Sequence, residues 1–161
     1  MALQPIKGAV NRRFRPSSYR RNDEVAKETI ISYLEENGHT ILDSKENFSF
    51  DIKSEKNGNI YYSEVEMKNQ WVGDWNPSWK EIRIPYRKHK LINKFEEVKN
   101  DKTFLNFYVI RGDGKKAWRI KDTLLEQSEV KEAQGFRIEP GEHFFHIPYK
   151  DAILVELDNE A

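Results

Sequence analysis

Residues 48–68 read Phe48-Ser-Phe-Asp51-Ile-Lys-Ser-Glu-Lys56-Asn57-Gly58-Asn-Ile60-Tyr-Tyr-Ser-Glu64-Val-Glu66-Met-Lys68. Asn57-Gly58 is a strong hairpin signal, because both residues tolerate the positive φ that a type I′ turn requires. Before the turn, strand alternation puts Phe48, Phe50 and Ile52 on one face and Asp51 on the other. After it, Tyr61, Val65 and Met67 take the apolar face, so Glu64, Glu66 and Lys68 share the opposite one. A two-residue turn then sets Asp51 opposite Glu64 and diagonal to Glu66, within side-chain reach across an antiparallel pair.

Carboxylates gathered in this way repel one another unless a hard cation neutralises them, and a site made of oxygens suits Mg²⁺. Lys68 adds the one positive charge that phosphate chemistry can use. The group points to a metal-dependent nuclease. The plainer alternative is a solvated sheet face whose cross-strand ion pairs contribute little. An excess of acids over bases on one patch argues against it, although Lys53, on the same side, offers one acid a partner. Glu64 is either a third ligand or merely the register neighbour of Asp51, and it ranks below Glu66.

Asn22 or Asp23 can cap a helix running to Asn37, with Ala26, Ile30, Tyr33 and Leu34 on one face and Gly38 as its stop. Thr40–Asp43 reads as a first short strand. Beyond the hairpin, Asn69–Trp79 is a polar loop holding Trp71, Trp75 and Trp79, followed by an extended piece at Ile82–Ile84. Pro85 suits the first turn of a helix over Tyr86–Lys99, with Leu91, Ile92, Phe95 and Val98 as its apolar stripe. Thr103–Ile110 and Lys116–Ile120 are strands joined through Gly112-Asp-Gly114. A short helix over Asp122–Gln127 and extended pieces at Gly135–Glu139, His143–Ile147 and Ala152–Leu157 complete the chain. The expected class is mixed α/β: helix, three-strand meander, helix and further strands in a mixed central sheet.

At 161 residues the chain suits a single domain, here 22–161, preceded by a basic arm, 1–21. The absence of cysteine excludes disulfides, thiolate zinc sites, iron–sulfur clusters and a thiol nucleophile. No stretch approaches a membrane span and the start lacks the apolar core of a signal peptide, so a soluble, cytoplasmic protein is expected. Lysine plus arginine (27) equals aspartate plus glutamate (27), which argues against indiscriminate coating of nucleic acid. The basic residues are nevertheless unevenly placed: Lys7, Arg12, Arg13, Arg15, Arg20 and Arg21 all precede the first acid, Asp23. Those arginines, with Arg83, Arg87, Lys88 and Lys90 near the start of the second helix, are the candidate phosphate contacts. A solvated basic face would account for the same residues. The loop tryptophans could stack on unpaired bases or wedge a junction, or be buried against the second helix or at a dimer interface. His143 and His146 fall on opposite faces of a strand, and His39 and His89 are isolated, so no histidine metal site is expected.

Helix, meander, helix and strand, with Asp51 on the second strand and Glu66-Met-Lys68 on the third, resembles the PD-(D/E)xK nuclease superfamily. Within it the spacing is most like archaeal Holliday-junction resolvases and related small nucleases. The likeness covers Asn22 to Lys121 and rests on Gly38, Asp51, Val65-Glu-Met-Lys68 and the Phe104-to-Ile120 hairpin. Asp51-Ile-Lys53, Glu97-Val-Lys99, Asp113-Gly-Lys115 and Glu129-Val-Lys131 repeat the short triplet, but only Glu66-Met-Lys68 lies on a strand paired through a strong turn to another acid. The family's leading proline is absent, since Phe50 precedes Asp51.

The resemblance implies a restriction-endonuclease-like core and Mg²⁺, with Mn²⁺ substituting, held by Asp51, Glu66 and the Met67 carbonyl. It also implies a glutamate from the first helix, where Glu24 and Glu28 are both candidates because the best-matching position is Lys27. Asp51, Glu66 and Lys68 would be the catalytic residues. The implied reaction is hydrolysis of DNA, branched or otherwise structured, leaving a 5′-phosphate and a 3′-hydroxyl. A homodimer is expected because cutting two strands needs two sites. The competing readings are a catalytically silent binding or interaction module with the same fold, and a subunit of a larger DNA-processing complex.

Overall fold

In the computed structural model Asn57 takes φ 54° and Gly58 φ 82°, the two left-handed residues that a tight hairpin needs. The structure describes residues 3–4, 16–45, 49–132 and 141–157, and within the first helix it describes side chains from residue 24 onward. Around the turn, β1 (Thr40–Asp43), β2 (Ile52–Lys56) and β3 (Asn59–Lys68) form an antiparallel meander in which Ile52 pairs with Ser63 and Lys56 with Asn59. Continuing that register by one residue sets Asp51 against Glu64, as the turn length predicts.

After β3 the chain forms β4 (Glu81–Pro85), a 3-10 turn (Tyr86–Lys88) and a helix, then returns as β5 (Thr103–Arg111) parallel to β3. β6 (Lys116–Lys121) and β9 (Ile153–Glu156) add antiparallel strands, giving a mixed six-stranded sheet in the order β1-β2-β3-β5-β6-β9. A smaller sheet runs β4-β8-β7, with β7 at Glu129–Glu132 and β8 at His143–Pro148. β5 is buried from Leu105 through Arg111, as expected of a strand with a parallel neighbour and both faces covered.

Three layers result. On one face, Ala26, Ile30 and Leu34 of α1 (Pro16–Glu36) pack against Ile52, Val65, Tyr108 and Ile110. On the other, Tyr62, Leu105, Phe107 and Val109 meet Ile92 and Phe95 of α2 (His89–Glu96) and Leu125 of α3 (Asp122–Gln127). Ile82, Ile84, Phe145 and Ile147 of the smaller sheet join this second core. Alternation along β3 therefore assigns Val65 and Met67 to the α1 side and Glu64, Glu66 and Lys68 to the α2 side.

Several sequence expectations change. α1 starts at Pro16 rather than at Asn22, with proline at the position where its missing N–H costs nothing. Part of the expected arm, including Arg20 and Arg21, is thus helical, while Arg12, Arg13 and Arg15 lie outside the described residues. Leu3 and Gln4 are docked: Leu3 N–H donates to Asn93 Oδ1 (2.7 Å), Asn93 Nδ2 donates to the Leu3 carbonyl (2.7 Å), and Tyr86 Oη donates to the Gln4 carbonyl (2.7 Å). The second helix stops at Glu96 instead of Lys99, because Val98 N–H closes a tighter turn onto Phe95 O (3.0 Å); Val98 is left 45% exposed. β7 carries Glu129-Val-Lys-Glu132, too charged to signal a strand, and lies at a sheet edge where such residues discourage further pairing. The extended piece expected at Gly135–Glu139 falls outside the described residues. Among the described residues, no helix is long and apolar enough to cross a membrane.

The largest local correction concerns Phe50. It belongs to the α2-side core, whereas Ile52 belongs to the α1-side core, so they do not share a face. The chain bends over Ser49–Asp51 before β2 begins, and the bend interrupts the alternation. Phe48 is outside the described residues.

Candidate active site

Among the described residues, β3 continues beyond the Ile52–Ser63 pair without a paired strand on that side, and the Asp51 side chain takes that place. Val65 N–H donates to Asp51 Oδ2 at 2.9 Å, while Asp51 N–H donates to Glu64 Oε2 at 3.2 Å. This reciprocal pair fixes the aspartate beside the strand edge. By the two-residue period, the backbone polar groups of Met67 point to the same edge as those of Val65, past the end of β2. The Met67 carbonyl thereby faces the edge at which Asp51 is bonded to Val65.

Glu64 is the most buried of the three acids and its second oxygen is engaged, since Lys88 Nζ donates to Oε1 at 2.9 Å. Burial pushes the Glu64 pKa far above the usual carboxylate range; Lys88 opposes the rise and Asp51 adds to it. At Lys88, burial works against the ammonium, but Glu64, then Glu66 and Asp51, outweigh it and hold the pKa above the ordinary lysine value. One ammonium therefore feels all three carboxylates.

Lys68 stands on the same face as Glu64 and Glu66, with Nζ 5.5 Å from the centre of the Trp79 ring. Burial lowers its pKa, Glu66 opposes that effect, and Arg83 reinforces it. Arg83 is exposed on β4, opposite His146. Of the loop tryptophans Trp71 is buried and Trp75 and Trp79 are partly buried, and their ring contacts are with one another, Trp118 and Tyr149 rather than with the second helix. Trp71 is 1% exposed and stacks on Trp118 (6.0 Å between centroids), and Trp75 sits edge-on to both Trp71 and Trp79.

Hydrogen bonds thus link Asp51, Glu64 and Lys88, while Glu66 and Lys68 share the same face of β3; Asp51, Glu64 and Glu66 are not among the described acids whose ligand oxygens all lie within 4.8 Å of one another. Lys53 lies over the Tyr62 ring at 5.9 Å, and Lys88 is the lysine that hydrogen-bonds an acid of this face, Glu64. Of the other candidate phosphate contacts, Arg87 pairs with Glu142 at 3.7 Å and Lys90 is exposed. Glu24 and Glu28 are exposed on α1, and neither joins a described cluster of carboxylates with Asp51 or Glu66. His146 approaches Glu81 at 3.3 Å and His143 the Gly141 carbonyl at 2.8 Å, in keeping with separate surroundings. Among the described residues, one trio has ligand oxygens all within 4.8 Å of each other: Glu96, Asp122 and Glu126. Lys99 already lies 3.6 Å from Asp122, and the two glutamates are exposed.

The position of Lys88 was not legible locally. Arg87, Lys88 and Lys90 are equivalent by composition, and only the 3-10 turn after Pro85 selects the one that meets the acids. No protein-family model matches the chain, and comparison with curated proteins gives no match.

Glu64 gives the metal-free protein a distinctive pH dependence. A carboxyl whose pKa rises on folding binds protons more readily in the native state, so its contribution to stability is full below its ordinary value of 4.5 and is lost as pH rises through about 7. Thermal melts in a chelator should show the parent losing stability over this interval relative to Glu64→Gln, which has no such proton. Parallel pH profiles for the two proteins would contradict this assignment.

Proposed function

We propose that the chain is a Mg²⁺-dependent endodeoxyribonuclease of the PD-(D/E)xK type, with Asp51, Glu66 and Lys68 as its catalytic residues. The observation that carries the reading is the reciprocal Asp51–Val65/Glu64 bonding, which fixes an aspartate against the strand that bears Glu66 and Lys68. Further support comes from the succession of α1, the β1–β3 meander, α2 and a strand parallel to β3. It is the order that the resemblance implies for a restriction-endonuclease-like core.

The donor chemistry fits a hard divalent ion: two carboxylates and a backbone carbonyl, with neither thiolate nor imidazole among them. Asp51, Glu66 and the Met67 carbonyl would hold it. When bound, Mg²⁺ supplies Lewis-acid polarisation of a phosphodiester oxygen and lowers the pKa of a bound water. Lys68 orients the attacking water, can accept its proton, and offsets negative charge developing on the phosphate. The lowered pKa of its amine suits that exchange. Arg83 and Lys90 offer sequence-independent phosphate contacts, and a homodimer would supply one site for each strand.

The decisive assay is incubation with labelled linear, single-stranded, flapped and four-way DNA in Mn²⁺. Cleavage leaving 5′-phosphate ends is expected, with branched DNA preferred. Intact DNA throughout the panel would remove the nuclease assignment. It would favour the silent binding module, a reading with which the Lys88–Glu64 ion pair is also compatible.

A further inference from the structure

β9 ends the six-stranded sheet, and among the described residues no strand pairs with its outer edge. The other sheet edges carry the features that discourage further pairing: β1 shifts register between Ile41 and Asp43, β4 holds Glu81, Arg83 and Pro85, and β7 is Glu129-Val-Lys-Glu132. β9 differs. Ile153-Leu154-Val155 has no charge, keeps an unbroken register with β6, and leaves Ile153 48% and Leu154 45% exposed.

Leu157 N–H donates to the Lys115 carbonyl at 2.9 Å, so by the two-residue period Val155 and Ile153 also bond toward β6. The N–H and C=O of Leu154 therefore point away from the sheet. Side chains alternate as well: Val155 lies in the α1-side core and Ile153 shares its face, whereas Leu154 stands on the α2 side opposite Trp118.

We propose that β9 is the contact between two copies of this chain, paired antiparallel about a two-fold axis at Leu154 so that the two sheets become one. A symmetric pair can match only residues that share a face, which leaves Ile153, Leu154 or Val155 as its centre. Centring on Ile153 sets Val155 against Asp151 of the second copy, and centring on Val155 sets Leu154 against Glu156. Centring on Leu154 sets Leu154 on its own mate and Ile153 on Val155, apolar on apolar throughout. It also makes Leu154, whose backbone groups face outward, the pair that exchanges both hydrogen bonds. Glu156, already 3.3 Å from Lys116, then faces Ala152 rather than another charge. The strand is complementary to itself, which favours a second copy over an unrelated partner. An edge of 4 residues is short for a stable interface, so dissociation in the micromolar range is expected. The contact gives the proposed homodimer a defined surface and does not depend on nuclease activity.

The chain has no cysteine, so single cysteines report the register directly. Leu154→Cys should form an intermolecular disulfide on mild oxidation, since the opposed Cα atoms of such a pair lie about 5.5 Å apart. Ile153→Cys, similarly exposed but diagonal to its mate at about 7–8 Å, should cross-link about ten-fold more slowly. Sedimentation of the unmodified chain from micromolar to submillimolar concentration should show a monomer–dimer equilibrium. Leu154→Lys, which sets like charges face to face, should shift it to monomer without lowering the melting temperature. A monomer throughout, a dimer that survives Leu154→Lys, or equal cross-linking of the two cysteine variants would overturn the proposal. In a monomer, slow amide exchange at Leu154 would mean that another segment of the same chain covers the edge, and fast exchange that the edge is left to a strand of a different protein. Should Leu154→Lys fail to fold, the cysteine pair decides alone. None of these readouts involves cleavage, so their failure leaves the nuclease reading standing.

Discussion

Asp51→Asn should abolish Mn²⁺-dependent DNA cleavage, by a factor of about 10² or more, while leaving DNA binding and the fold in place. Asparagine keeps an oxygen that can accept the Val65 N–H, so the strand-edge tie worth about 1 kcal/mol survives. What disappears is the charge that a hard cation requires. Because Asp51 also drives the Glu64 pKa upward, removing its charge relieves repulsion in the metal-free protein. The variant should therefore melt no earlier than the parent in chelator and gain less stabilisation from added Mn²⁺. That combination separates a ligand from a structural residue, whose loss would lower the melting temperature in both conditions. Single-turnover cleavage, filter binding and thermal melts make the comparison; cleavage retained at the parent rate would exclude Asp51 from the chemistry.

Lys68→Met should lose cleavage to a similar extent, about 10²- to 10³-fold, but for a different reason. Methionine preserves the length and the contact with the Trp79 ring, and it does not touch the carboxylates, so Mn²⁺ affinity should stay within about three-fold of the parent or improve slightly. A rate that collapses while metal binding persists identifies a group acting on water or phosphate. Lys68→Arg should recover only a small part of the rate, since guanidinium carries the charge but cannot exchange a proton near neutrality. If Lys68→Met cuts within about three-fold of the parent, the amine has no part in the reaction.

Much of this arrangement could be read from local sequence. Asn57-Gly58 fixed the turn length, and turn length fixed the register that sets Asp51 against Glu64. Alternation along β3 correctly separated Val65 and Met67 from Glu64, Glu66 and Lys68. The same rule misplaced Phe50, because alternation holds only while the backbone stays extended and the chain bends just before Ile52. The contact of Lys88 with Glu64 was beyond local inference for another reason. It joins positions on separate elements, and its geometry depends on how the 3-10 turn lies across the sheet rather than on any periodicity. The packing of Trp71 on Trp118 is of the same non-local kind.

The parallel pairing of β3 with β5 also bears on how the site comes into being. Asp51 through Lys68 are neighbours in sequence and joined by a fast-forming hairpin, yet the strand that backs Glu66 is Val109's, reached only after a long crossover. During synthesis the acids emerge well before the residues that will hold them rigid, and closing that loop costs entropy which local contacts cannot offset. Rigid placement of these side chains is consequently a late event in folding, deferred until the crossover has docked.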